Sequence, residues 1–203
     1  MTAIVFDLDG TVLHFDRPYR DILADAIADV RGDATDTWIE TYDEAFFEAF
    51  FACDPDPVRQ AFDRIDDCAD PESYRETLLE TEIDAMSPPE NAHTDLERLA
   101  GAFDLGVLTN GVPEWQLAKL RAYDLEQYFD ATAVSYEVGA HKPATEPYRE
   151  LESRLPAEEY VMVGDSDDDV DGATQAGWDA YRYEGDGFGD LPEALDGVDS
   201  DRQ

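Results

Sequence analysis

The tightest constraint on the fold lies in the first eleven residues. Ile4-Val5-Phe6 is an apolar, β-favouring run that passes straight into Asp7-Leu8-Asp9-Gly10-Thr11, two carboxylates one residue apart followed by a turn. That order delivers two acids to the end of a buried strand. Side-chain alternation puts Asp7 and Asp9 on one face, and Gly10 lets the chain turn sharply beyond them. Two like charges so close together call for a cation.

After Val12-Leu13 the texture becomes helical. Tyr19, Ile22, Leu23, Ala26, Ile27 and Val30 recur at helical spacing up to Gly32, and Trp38, Tyr42, Ala45, Phe46 and Ala49 form a second such face. Asp56-Pro57 and Asp70-Pro71 read as capped starts of a third and a fourth helix, the last carrying Tyr74, Leu78 and Met86. Residues 15–87 therefore read as an all-helical block, closed off by Ser87-Pro88-Pro89. From there helices alternate with strands predicted at 103–109, 131–135, 160–163 and 180–182. Alternation of that kind gives a parallel sheet with helices on both faces, to which the first strand belongs. The chain thus reads as an α/β protein: a Rossmann-like core (1–14 and 88–203) with an all-helical insertion (15–87) after the first strand. Residues 184–203, rich in Gly and Asp, read as a weakly ordered ending.

Composition narrows the partners. Fifty Asp and Glu against 14 Lys and Arg give a formal charge of −36, spread along the whole chain, while 43% hydrophobic residues suffice for a core. A spread excess of acid suits a high-salt cytoplasm, where the Debye length falls to about 3 Å at 1 M. Nucleic acid and anionic membranes are excluded as partners by the lack of basic surface. No apolar run is long enough to span a bilayer and no basic leader precedes the first strand, so a cytoplasmic protein is expected. Cys53 and Cys68 lack metal-site spacing and read as reduced thiols. The chain has only two lysines, Lys119 and Lys142, beside twelve arginines. Each lysine is a candidate for a specific task.

In open α/β sheets the ligand site lies beyond the carboxyl ends of the strands. Those ends carry Asp7 and Asp9, then Thr109-Asn110-Gly111, then His141-Lys142-Pro143 in the following loop, then Gly164-Asp165-Ser166-Asp167-Asp168-Asp169. The set suits phosphoryl transfer. Asp7 serves as nucleophile, and Asp9 as general acid to the leaving oxygen and then as base to water. Asp7 and Asp165 can hold Mg²⁺, Thr109 and the backbone near Asn110 donate to phosphate oxygens, and Lys142 supplies the neutralising charge.

These four clusters, in this order, resemble the motifs of the haloacid dehalogenase superfamily: Asp7-x-Asp9-Gly10-Thr11, Thr109-Asn110, Lys142-Pro143 and Gly164-Asp165-x-x-x-Asp169. The helical insertion is similar to that family's C1 cap. The resemblance implies a magnesium-dependent hydrolase of small phosphomonoesters acting through an aspartyl-phosphate. It further implies the Asp9 backbone carbonyl as a metal ligand and Asp169 as support for Lys142 or for the metal's waters. Asp168 stands beside Asp169, so which of the two is the second acid stays open. Asp9 argues against a 2-haloacid dehalogenase, because dehalogenases of the superfamily lack that aspartate. A sugar phosphomutase and a non-catalytic phosphometabolite-binding protein are the alternatives. The expected oligomeric state is monomer or weak homodimer.

The charge carries its own test. Both the unfolding midpoint and any turnover of an anionic substrate are expected to rise from dilute buffer to molar KCl. A maximum in dilute buffer with a steep decline above about 1 M KCl contradicts the high-salt reading.

Overall fold

The structure, a computed structural model, describes residues 1–65, 70–185 and 187–195. Cys68 lies outside them. The chain divides into two compact units, one of Met1–His14 with Ser87–Gln203 and one of Phe15–Met86.

The first unit is built on a five-stranded parallel sheet. Its strands are β1 (Thr2–Phe6), β4 (Asp104–Thr109), β5 (Ala131–Val134), β6 (Glu159–Gly164) and β7 (Asp179–Arg182), in the order β5-β4-β1-β6-β7. Two further short strands, β2 (His14–Phe15) and β3 (Met86–Ser87), pair with each other where the chain leaves and re-enters this unit. The strand β1 is central, with Phe6 in register with both Val107 and Val163. The residues after Phe6 therefore leave the sheet abreast of Leu108-Thr109 on one side and Gly164-Asp165 on the other. Between strands run α5 (Ala92–Ala100), α6 (Pro113–Ala122), α7 (Glu146–Arg154) and α8 (Asp167–Ala176).

Alternation along β1 sorts its side chains between two layers. Val5 joins Leu108 and Met162 against Tyr148 and Leu151 of α7 and Ala173 and Ala176 of α8. Phe6 faces the other way and meets Phe129 and Phe188 edge-on. Phe188 and Leu191 are buried, and the Arg98 guanidinium donates to the carbonyls of Phe188 and Leu191 at 2.9 and 2.6 Å. The expectation of a weakly ordered ending is thus corrected for residues 187–195: two apolar side chains within the Gly/Asp-rich stretch anchor it.

The second unit comprises α1 (Tyr19–Arg31), α2 (Asp36–Phe51), α3 (Pro57–Asp63) and α4 (Pro71–Asp84). Helix α1 packs on α4 and α2 on α3. The caps follow the sequence: Asp56 accepts from the Arg59 N–H, Asp70 from the Ser73 N–H, and Gly32 ends α1 at φ 98°. Met86, read as part of the fourth helix, instead lies in β3, because α4 ends two residues earlier. Phe47 and Phe51 are exposed and stack on each other at 5.8 Å. Tyr42 is fully buried beside Phe62.

One close approach ties α8 to α7. Tyr148 is buried, its hydroxyl donates to the main-chain oxygens of Asp168 and Asp169, and its ring occupies the space that a Cβ on Gly172 would need. In an exposed helix Gly→Ala stabilises by about 1 kcal/mol. Here the sign is expected to reverse, with Gly172→Ala lowering the unfolding free energy by about 1–3 kcal/mol in denaturant titration.

Candidate active site

The strand ends deliver their polar groups to one place. Beyond β1 the backbone is held by the Asp7 N–H to Val163 O bond at 2.9 Å, and the Leu8 carbonyl collects the N–H groups of Thr11, Val12 and Leu13. Gly10 has φ +98°, and a Cβ there would fall 2.5 Å from an Asp165 carboxylate oxygen. Glycine is required both for the left-handed turn and for this approach. Gly164 plays the matching part at the end of β6, where a Cβ would fall 2.5 Å from the Asp169 Cγ.

Lys142 lies at the centre of the first cluster. Its Nζ donates to Asp7 Oδ1 at 2.6 Å, to Asp169 Oδ1 at 2.5 Å and to the Leu108 carbonyl at 3.0 Å. Asp7, Lys142 and Asp169 are 6%, 5% and 0% exposed, so solvent screens this group little. Burial disfavours the lysine's charge, but the two carboxylates outweigh that and hold it protonated above the ordinary lysine range. Burial pushes the Asp7 carboxyl up to about 7; Lys142 opposes the rise, and the nearby carboxylates of Asp169 and Asp9 add to it.

Each member is positioned by neighbours. The Asn110 side chain accepts from the Lys142 backbone N–H at 2.9 Å and donates to its carbonyl at 3.4 Å, which fixes the lysine's main chain. Asp169 Oδ2 accepts from the Ser166 N–H and hydroxyl at 3.0 and 2.6 Å, and the Ser166 oxygen accepts from the Asp169 N–H in a reciprocal cap of α8. Of the two acids left open by sequence, Asp169 is buried in the cluster and Asp168 is exposed at the start of α8. Asp165 lies beside Thr11, whose hydroxyl donates to it at 3.4 Å.

Oxygen atoms of Asp7, Asp165 and Asp169 lie within 4.8 Å of one another. Three hard carboxylate oxygens with one lysine among them suit a divalent cation bound by oxygen. The donor set fits such an ion.

The second acid of the opening motif has partners of its own. The strand ends at Phe6, so the period-2 rule no longer governs Asp7 to Asp9. Asp9 turns toward α6, where its two oxygens lie 3.0 and 3.2 Å from Lys119 Nζ and Gln116 Nε2 donates to Oδ2 at 2.8 Å. The same amide nitrogen lies 2.7 Å from the Thr109 hydroxyl oxygen. Gln116 and Lys119 are 2% and 4% exposed. Sequence reasoning assigned neither residue a place in the site; the available signals were the scarcity of lysine and the three-residue spacing that puts positions 116 and 119 on one helix face.

A ribulose-1,5-bisphosphate 5-phosphatase from Halopiger xanaduensis is 35% identical over 127 residues, covering 60% of this chain and 52% of that protein. The chain spans about half the length of the curated relatives it matches. Two solved structures share the fold at 24% identity. They are a 2-haloacid dehalogenase from Pseudomonas syringae, with a TM-score of 0.73 over 97% of this chain and 98% of that one, and the HAD-hydrolase YfnB from Bacillus subtilis bound to magnesium, with 0.67 over 94% and 90%. The sheet order, the strand-end clusters and a family model matching residues 1–177 agree, and the chain belongs to the haloacid dehalogenase-like hydrolases.

Proposed function

We propose that this chain is a magnesium-dependent hydrolase of small phosphomonoesters that works through a phosphorylated Asp7. The observation that carries the reading is the Asp7 carboxylate, buried at the end of the central strand, with one oxygen on the Lys142 ammonium and two further acids beside it. The phosphatase named among its relatives supports the choice of reaction. Asp7, Asp165 and the backbone carbonyl of Asp9 would hold Mg²⁺, with Asp169 alongside supporting Lys142. The ion would supply charge neutralisation for the phosphoryl oxygens, the term that dominates phosphoryl transfer.

The steps assigned to the chain's own residues balance. An oxygen of Asp7 attacks phosphorus as the bond to the ester oxygen breaks, and a proton from Asp9 goes to the departing alkoxide. Water then attacks the acyl phosphate, Asp9 takes its proton back, and the bond to Asp7 breaks to release phosphate. Thr109 and the backbone near Asn110 donate to the non-bridging oxygens. Lys142 draws Asp7 toward the ionised form that attack requires and takes part of the phosphate's charge. Asp9 favours this reading over halide displacement, which needs no proton for its leaving group. The inserted helical unit, 15–87 in the sequence reading, occupies the place in the chain of the family's C1 cap and is assigned the selection of substrate.

Asp7→Asn is expected to cut release of phosphate from an aryl phosphate with Mg²⁺ by at least about a thousandfold. Turnover equal to wild type would sink the assignment of the nucleophile. The same variant carries a pH signature. The folded Asp7 pKa, about 7, lies above its reference value of 3.8, so folding favours the protonated form. That contribution is fully present below pH 3.8 and is lost as pH rises through about 7. In chelator, Asp7→Asn is expected to be more stable than wild type at pH 8, with the gap closing toward pH 4 in denaturant titrations. Addition of Mg²⁺ at pH 8 is expected to raise the melting temperature of wild type more than that of the variant.

A further inference from the structure

We infer that Gln116 and Lys119, on one face of α6, are positioning residues that hold the Asp9 carboxylate in register with the Thr109 hydroxyl for proton transfer to the leaving group. The inference rests on the proposed role of Asp9 and extends it to two residues outside the strand-end clusters.

The geometry is specific. Lys119 Nζ reaches both Asp9 oxygens, at 3.0 and 3.2 Å, which fixes the plane of the carboxylate as well as its distance. Gln116 Nε2 reaches Asp9 Oδ2 and Thr109 Oγ1 at 2.8 and 2.7 Å, the two shortest of its three contacts, with the Asn110 carbonyl farther off at 3.2 Å; an amide nitrogen has two hydrogens to give. A Thr109 hydroxyl that accepts from Gln116 keeps its own proton to donate, and the Asn110 carbonyl lies at a long 3.3 Å from it. Gln116 thus ties the acid to the end of β4.

Burial makes the arrangement costly unless it is used. A lysine 4% exposed loses nearly all its hydration, and a surface acid-lysine pair would serve stability as well without that cost. Asp9 itself keeps about a third of its side chain exposed, as a group that must meet a substrate requires. Lys119 and Gln116 approach it from the helix side and leave its outer face open.

The leaving group separates positioning from general damage to the fold. A nitro-substituted aryl phosphate expels a stable phenolate and needs no proton, whereas an alkyl phosphate depends on one. The parameter to read is kcat/KM, which covers the steps through departure of the alcohol and excludes later hydrolysis of the acyl phosphate. Lys119→Met and Gln116→Met are each expected to lower kcat/KM for the alkyl ester by about 10- to 100-fold and for the nitroaryl ester by less than about threefold. Asp9→Asn is expected to show the same selectivity with a larger loss. Lys119→Met added to Asp9→Asn is expected to cost nothing further on the alkyl ester. Equal losses on both esters, no loss on either, or losses that multiply in the double variant would overturn the inference. Should Lys119→Met fail to fold, Gln116→Met decides alone on the same two substrates. If Asp9→Asn discriminates between the esters and the two α6 variants do not, positioning by α6 fails and the role of Asp9 stands. If Asp9→Asn itself does not discriminate, the parent reading fails.

Discussion

The site depends on one ammonium group. Lys142 Nζ has three hydrogens and three acceptors around it: Asp7 Oδ1, Asp169 Oδ1 and the carbonyl of Leu108. Those acceptors come from the turn after β1, the first turn of α8 and the end of β4, so a single cation draws together segments more than a hundred residues apart in sequence. A compact point charge with rotatable donors can do this, whereas the flat fork of an arginine could not meet three oxygens at such angles. Removing the cation of such a buried cluster commonly costs about 3–5 kcal/mol, because the remaining carboxylates have no water to fall back on. Here that loss would leave two buried carboxylates without their cation.

The two aspartates of the opening motif are chemically identical and two residues apart, and they occupy different electrostatic environments. Asp7 is buried against Lys142 and the other acids. Asp9 is partly exposed and paired with Lys119. Between them lies the turn at Leu8, where three N–H groups converge on one carbonyl. In the proposed reaction, attack on phosphorus and movement of a proton ask different things of a carboxyl group, and separate lysines would let each be met without compromise at the other. Gln116 keeps the two halves from being independent, because it joins Asp9 to the hydroxyl at the end of β4.

Much of this was legible in the sequence because parallel sheets write their active ends plainly. Each buried strand is an apolar run, and where the run stops the next residues lie at the carboxyl edge, so the clusters at 7–11, 109–111 and 164–169 could be placed together before any coordinates. Long-range pairing was the part that could not be read. Nothing near Asp9 in sequence points to a partner 110 residues away, and the period-2 rule has no hold beyond the end of the strand at Phe6. The choice between Asp168 and Asp169 turned on helix geometry: Ser166 caps α8, and its reciprocal partner is the residue three positions on. The ending misled for a different reason, since Phe188 and Leu191 are isolated apolar residues in a polar stretch and form no period.

The distribution of cations follows from the same physics. Mobile ions can screen the exposed carboxylates that make up most of the 50 acids, but they reach Asp7 and Asp169 poorly through a few per cent of exposed surface. Those positions need counter-charge built into the chain or bound as a specific ion. The arginines at 20, 64, 121, 149 and 182, by contrast, each pair with an acid while keeping about half or more of their own side chains exposed. Such pairs contribute little in high dielectric. Lysine has been retained at two places only, both are buried, and each neutralises one aspartate of the opening motif. A chain otherwise stripped of lysine keeps it where salt in solution cannot substitute.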